Sequence, residues 1–300
     1  MNPTAQYRDW HAAEPTAFPL FHQPWWLDTV CGPGQWEVLL AEHPKHGRRA
    51  FLPLTWQRRY GLRIINKPPL TPFLGPLFTH PDDRDKLPLL DDLVRQTPRP
   101  LLFKTTFRPE QPMALPFHWA GFQLRTRYTY RLPLQSPRHR LSQGFRRDIR
   151  RNIHKGEATF QLTRATDHAA LHQLITATFR RQGRPAPITA SFLARLTTAA
   201  SQRGQGDIRL ALDAAGDPQG GLFLATDDRY AYLLISGLTE QGRRHGAFPW
   251  LLWQVLQALP EQLQGLDFCG SMLPQVATVN AGFGAEVRSY VEVGKKRFWR

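Results

Sequence analysis

The sequence is poor in cysteine, in acidic side chains and in long apolar runs. Two cysteines, Cys31 and Cys269, occur in 300 residues. That excludes a disulfide framework or a cysteine-rich zinc site, and it points to a reducing cytoplasm. No stretch approaches the ~18 consecutive apolar residues that a spanning helix needs. The opening Met1-Asn2-Pro3-Thr4 lacks the basic and apolar regions of a secretory leader. No Walker-type phosphate loop and no Gly-x-Ser-x-Gly elbow occurs, and Gly204-Gln205-Gly206 precedes a strand instead of following one. His168 and His172 stand four apart on an expected helix. Two histidines with no glutamate between them do not make a zinc site, so no metal is expected.

The shortage of acids gives a direction. Asp+Glu number 24 against 39 Lys+Arg, a net charge of +15 and a pI near 10.6. Such a chain favours anionic partners: nucleic acid, phospholipid or a phosphorylated substrate. Only seven of the 39 cations are lysine, a skew that a GC-rich genome also produces. The chain is 41% hydrophobic, enough for a packed core, and its length suits one large or two modest domains.

Proline divides the chain. Of 26 prolines, 20 fall in the first 137 residues. This places a seam near Ser136-Pro137, between a loop-rich part (1–136) and a more regular one (137–300). In the first part, Trp36–Ala41, Ala50–Trp56, Leu62–Asn66, Pro100–Lys104 and Arg127–Pro133 read as strands, and Asp83–Thr97 as a helix. Lys67–Phe78 holds four prolines but is apolar, so an irregular segment packed over the core is expected.

The second part opens with Pro137–Gly156. Leu141, Phe145, Ile149 and Ile153 recur at i, i+4 spacing, which predicts one helix with an apolar side. Its other faces carry Arg138, Arg140, Arg146, Arg147, Arg150, Arg151 and Lys155 against one acid, Asp148. A strand (Ala158–Thr163), two helices (Asp167–Arg181, Ser191–Gln202) and three strands (Asp207–Asp213, Gly220–Thr226, Tyr230–Ser236) follow. A loop (Gly237–Gly246), an apolar helix (Ala247–Leu259), a short strand (Leu266–Phe268), a short helix (Pro274–Ala281) and a last strand (Glu286–Val293) complete the order. A meander, a crossover helix and another strand imply a mixed sheet with helices on its faces.

This order is similar to the GCN5-related N-acetyltransferase (GNAT) fold. Phe145-Arg146-Arg147-Asp148-Ile149-Arg150-Arg151-Asn152-Ile153-His154-Lys155-Gly156 resembles the start of the second domain of FemAB-like, tandem-GNAT acyltransferases. Leu266-Asp267-Phe268-Cys269-Gly270-Ser271 resembles their strand-to-helix turn, and Asn280-Ala281-Gly282-Phe283-Gly284-Ala285-Glu286, ending at Tyr290, their closing segment. Phe21–Asp28 and Phe179–Gly183, with Gln182, also fit. The resemblance implies an α/β protein of two GNAT-like domains, each a mixed, mostly antiparallel sheet flanked by helices, the first of them degenerate.

It also assigns expected roles. Arg243, Arg244, Gly246 and Ala247 stand where the family holds the diphosphate of acyl-CoA, at a helix start whose free N–H groups attract phosphate. Phe248 replaces the last small residue of that pattern and is expected to crowd the backbone's approach. Arg146, Arg147, Arg150, Arg151, Lys155 and Gln182 are expected at an anionic substrate, since the guanidinium fork suits phosphate. The plainer reading of those arginines is a solvated helix face. Asp267 would accept a proton from an amine, or merely fix its turn. Ser271 would bond a substrate carbonyl or cap the next helix, and Tyr290 would protonate a leaving group or serve as a sheet aromatic. Cys269 reads as a small buried residue.

Together these expectations describe a cytoplasmic acyl- or aminoacyltransferase. Acyl-CoA or aminoacyl-tRNA would be the donor substrate, with no tightly bound cofactor. The acceptor would be an amine of an anionic cell-envelope or glycan precursor, small or lipid-linked, with peripheral membrane contact and no transmembrane segment. Two alternatives stay open: a non-catalytic scaffold that kept the fold, and a basic nucleic-acid-binding module.

Overall fold

The computed structural model describes residues 2–43, 45, 47–59, 61–80, 86–134, 137–165, 168–270 and 272–296. The chain forms two compact units, Met1–Tyr128 with Ser289–Arg300, and Thr129–Arg288. The proline-based seam near Ser136-Pro137 differs from this division, because proline content reports loops, whereas unit membership follows strand pairing. The residues after Ser289 pair back into the first unit although their texture belongs to the second part.

The first unit opens with α1 (Pro3–Ala13) and α2 (Pro24–Cys31). Asn2 caps α1 through its side chain, which accepts from the Thr4 amide, and Pro3 fits the first turn. β1 (Trp36–Glu42), β2 (Arg49–Arg59) and β3 (Leu62–Asn66) form an antiparallel meander, with β4 (Leu77–Phe78) beside β2. α3 (Lys86–Gln96) then crosses to β5 (Leu102–Thr106), which lies parallel to β3. After α4 (Leu115–Trp119) the chain enters β6 (Gln123–Pro133), whose last residues belong to the second unit. The unit's core joins Leu89, Leu90 and Leu93 of α3 to Leu52, Leu54, Ile65 and Phe103 of the strands. Between β3 and β4 the chain is irregular, as its prolines demand, and Phe73 and Leu74 are buried there.

In the second unit the basic stretch is not one helix. Arg138–Gly144 is a 3-10 turn, Phe145 and Arg146 are extended, and α5 runs from Arg147 to Glu157. Gly144 ends the turn, Phe145 drops into the core, and the Arg146 amide donates to the Gly282 carbonyl (2.8 Å). These tertiary anchors override the i, i+4 register that predicted continuity.

β7 (Gln161–Ala165), α6 (His168–Arg181) and α7 (Ala190–Gln202) lead to an antiparallel run of β8 (Gly206–Leu212), β9 (Pro218–Thr226) and β10 (Tyr230–Leu238). α8 (Glu240–Arg244) and α9 (Ala247–Ala258) cross to β11 (Gly265–Asp267), which is parallel to β10 and antiparallel to β6. α10 (Pro274–Gly282) and β12 (Glu286–Lys296) close the order, and β12 pairs with β5 in the first unit's sheet. α9 is apolar almost all round because it lies between the strands and α5, in one core with Trp250, Trp253, Ile149, Ile153 and Phe283. Gly156 permits this approach, since a Cβ there would stand 2.3 Å from the Trp250 side chain.

Candidate functional site

The site is built where β10 and β11 part. Their parallel pairing lasts three residues and ends at Tyr232 opposite Asp267. Beyond it β10 continues with β9 alone, and between Leu233 and Ile235 the register slips by one. The extra residue, half-buried Leu234, is thereby left outside the ladder, as a bulge requires.

Asp267 lies at that strand end with 0% exposure. Its Oδ2 accepts from Arg131 Nε (2.7 Å), and its Oδ1 accepts from the Thr129 hydroxyl (2.5 Å) and the Cys269 amide (2.7 Å). Burial pushes its carboxyl above the ordinary value, against the pull of Arg131 and the hydrogen bonds. All these partners belong to the protein, and the side chain has no surface on which an amine could land. Its geometry is that of a group holding the turn. The next residues bear this out: Cys269 (φ 60°) and Gly270 (φ 80°) are both left-handed, and at Cys269 the side chain makes that conformation strained. Ser271 lies outside the described residues.

The loop before α9 carries the expected donor contacts. Thr239 caps α8, accepting from the Gly242 amide (2.9 Å). Arg243 and Arg244 both turn back to Glu240, at 2.8 and 3.2 Å. Their hydrogen bonds hold its carboxyl down at about 2. The amides of Arg243, His245 and Gly246 donate within the loop. Those of Ala247 and Phe248 donate to no acceptor among the described residues, and Pro249 has none to offer. Gly246 is left-handed (φ 76°), and a Cβ there would stand 2.4 Å from the Asn152 carbonyl of α5. Phe248, expected to crowd the loop, instead packs its ring on the core, edge-on to Phe283.

The basic residues separate into two groups. Arg138 is 4% exposed and donates to the carbonyls of Pro260, Glu261 and Leu263, so it is a structural clamp and not part of a solvated face. Arg146 grips Asp148 (2.5 Å), whose carboxyl that bond lowers, and reaches the Thr278 carbonyl (3.3 Å). Arg150 donates to the Phe145 carbonyl (2.6 Å), and Lys155 to the Arg244 carbonyl (2.7 Å). Lys155 thus ties α5 to the loop. Arg147 and Arg151, one turn apart, are exposed and have no partner among the described residues. Gln182 is exposed just beyond α6, next to Arg181, which approaches Glu240 at 3.8 Å. The structure therefore gathers α5, the loop and the end of α6.

Tyr290 does not join them. It belongs to the first unit, where its ring stands edge-on to Phe73 at 5.1 Å. Sequence reasoning missed Asn280 as a candidate. On α10 it is 3% exposed, yet its side chain has no hydrogen-bond partner among the described residues. Its amide atoms are not sealed from solvent, so it is a polar group that a ligand could reach. The available signal was a polar residue in an otherwise apolar or small-residue turn, Asn280-Ala281-Gly282-Phe283. Among the described residues no His/Cys/Asp/Glu group that could hold a metal is assembled, and no helix is long and apolar enough to cross a membrane.

Residues 143–274 match the family model of the acetyltransferase (GNAT) domain. No curated protein matches the sequence. Among solved structures, FemX is similar over 96% of this chain and 95% of its own, at 11% identity and a TM-score of 0.70. The C-terminal domain of a protein assigned as a lysylphosphatidylglycerol synthetase, from Agrobacterium fabrum, is similar over 98% and 93%, at 10% identity and a TM-score of 0.57. L-PGS from Bacillus licheniformis is similar over 99% and 94%, at 9% identity and a TM-score of 0.55. The parted strands, the bulge and the helix-start loop lie in a segment that this family model describes, and residues 143–274 are a GNAT-type acyltransferase domain in a chain with the fold of FemX.

Proposed function

We propose that the protein is an N-acyltransferase that moves an aminoacyl group from aminoacyl-tRNA to an amine of an anionic cell-envelope precursor. The observation that carries the transferase reading is the opening between β10 and β11, with Leu234 outside its ladder on one side. The names of the similar structures, FemX and lysylphosphatidylglycerol synthetase, support an aminoacyl group and an envelope acceptor.

The donor choice rests on the loop before α9. A diphosphate is held by several backbone N–H groups converging at a helix start. Here all but those of Ala247 and Phe248 are committed or lacking between Gly242 and Pro249, and Arg243 and Arg244 are engaged by Glu240. On α5, Arg147 and Arg151 have no partner among the described residues, and they suit a polyphosphate backbone better than a buried diphosphate.

In the reaction the amine attacks the ester carbonyl. A C–N bond forms, the ester C–O bond breaks, and the ribose oxygen leaves with a proton that the amine loses. The protein positions both partners and donates an amide to the developing oxyanion; Leu234 is the candidate donor. Asp267 acts as a positioning residue that fixes the mouth of the opening.

Two binding measurements test this. Charged tRNA should bind wild-type protein and bind Arg147→Ala/Arg151→Ala about tenfold or more weakly, with a reduced salt slope. Millimolar CoA should leave the melting temperature unmoved. A clear CoA-induced rise with no tRNA binding would transfer the donor role to acyl-CoA. Binding of neither would favour the scaffold reading.

A further inference from the structure

The first unit holds a cavity of about 580 Å³ that the transfer reaction does not use. It opens around Lys104 of β5, Lys295 and Lys296 of β12, and Arg125 of β6, with Asn66 at its side. The one acid on its wall, Glu292, is already satisfied. It accepts from Lys104 Nζ at 3.0 Å and from Arg127 at 3.1 and 3.2 Å. Three of these cations, Lys104, Arg125 and Lys296, therefore face the opening without an equivalent set of acids, whereas Lys295, paired with buried Phe103, turns its ammonium to the other face of the sheet.

Their donors are largely uncommitted. Lys295 is spent elsewhere: it gives an N–H to the Ala120 carbonyl (2.6 Å) and stands 4.9 Å over the Phe122 ring, neither of which lines this cavity. Lys104 gives one N–H to Glu292. Arg125 contacts only Gln123 (3.2 Å), and Lys296 has no partner among the described residues. An ammonium offers three donors and a guanidinium five, so most of the donors around this mouth are free. Like charges brought together on a rigid strand pair repel one another unless an anion lies between them. The anchor on Lys104 holds the site in place before any ligand arrives.

We infer that this cavity binds a phosphate ester, supplied either as a free phosphorylated metabolite or as a phospholipid headgroup. Phosphate suits the set because its oxygens accept from both lysines at once and from the arginine fork. A carboxylate has fewer acceptor positions for three cations. The inference is independent of the transferase reading, since all of its residues belong to the first unit.

The test uses the full chain and two probes: inorganic pyrophosphate by calorimetry, and sedimentation with phosphatidylcholine vesicles with or without phosphatidylglycerol. Arg125→Gln/Lys296→Gln removes two exposed cations that hold no structural contact beyond Gln123. An exposed pair in the second unit, Arg140→Gln/Arg184→Gln, is the charge-matched control. Pyrophosphate affinity about tenfold weaker in the first double variant, with the control unchanged, supports the site with a free phosphate ester as ligand. Vesicle binding lost selectively in the first double variant, with pyrophosphate inert, supports it with a lipid headgroup as source. Glu292→Gln should tighten whichever probe binds, because it removes the competing carboxylate. Equal losses in both double variants would mean unspecific attraction to a basic protein, and no loss in either would mean that the cavity takes no phosphate. Both results overturn the inference.

Discussion

The two units share one wiring and differ at one place. Each has an antiparallel meander, a crossover helix and a final strand parallel to the third strand of the meander: β3, α3 and β5 in the first, β10, α9 and β11 in the second. In each the parallel pairing is short. It ends at Asn66 opposite Lys104 in one and at Tyr232 opposite Asp267 in the other. Past that point the first unit fills the space. The proline-rich segment after Lys67 comes back beside β5, the Leu74 amide donates to the Thr106 carbonyl (2.8 Å), and the Thr105 and Thr106 hydroxyls donate to the carbonyls of Leu74 and Pro72. In the second unit no backbone hydrogen bond from another segment replaces β10 beside Phe268–Gly270 among the described residues. One architecture thus yields a sealed sheet or an open cleft, according to whether the chain after the meander carries an apolar strap.

The comparison is broken most severely at Asp267. Asp267→Asn neutralises the buried carboxylate that accepts from Arg131, Thr129 and the Cys269 amide, and should cost about 3 kcal/mol of stability. The equivalent change in the first unit, Lys104→Gln, affects a side chain 37% exposed and should cost under about 1 kcal/mol. Urea unfolding of both variants measures the difference. Turnover per folded Asp267→Asn molecule should stay near wild type if the residue positions the turn. A loss of about 10²–10⁴ would instead restore it as the general base.

The strap is the next target. Thr105→Val with Thr106→Val removes both hydroxyl donors and leaves the Leu74 carbonyl, at least, without its side-chain partner. The expected cost is about 2 kcal/mol, measured by denaturation, with transfer activity of the remaining folded protein unchanged. A fall in activity equal to that of a cleft variant would show that the first unit's seal matters to the chemistry.

The smallest effect concerns pH. Burial alone would raise the Glu292 carboxyl, but hydrogen bonds from Arg127 and Lys104 hold it below its ordinary value. A depressed folded value stabilises above the unfolded one, near about pH 4.3, and that stability is lost as pH falls through the folded value. Urea midpoints between about pH 5 and 3 should therefore fall more steeply for wild type than for Glu292→Gln. Identical slopes would mean that the Lys104–Glu292–Arg127 cluster contributes nothing.

The sequence made the second unit's order readable because short apolar strands are separated there by clear turn residues and its crossover helix is long and apolar. The first unit's wiring was not readable, because the strap that seals it also supplies the prolines that mask its periodicity. Burial at Asp267 was equally hidden: a polar residue after Gly265-Leu266 reads alike whether its partners are Thr129 and Arg131 or a substrate. The break at Phe145 was invisible because i, i+4 spacing survives a change from 3-10 to α geometry when a core residue is anchored separately. The loop Gln241–Gly246 was legible as a place, but its tie to α5 through Lys155 was not. That Glu240 would engage both Arg243 and Arg244 is a local three- and four-residue pairing that the sequence also contained.

β12 sets an order on biosynthesis. Val293 belongs to the first unit's core and its neighbours pair along the whole of β5. A ribosome delivers α1 to β5 first, yet the strand that completes their sheet is made only after all of Thr129–Arg288. Most multidomain chains finish their amino-terminal domain while the rest is still being translated. Here the first domain to emerge is the last to close, and it waits with the β5 edge uncovered until the second has been synthesised. Nascent chains halted before Ser289 should accordingly expose that edge to proteases and chaperones, while chains released after Lys296 should not.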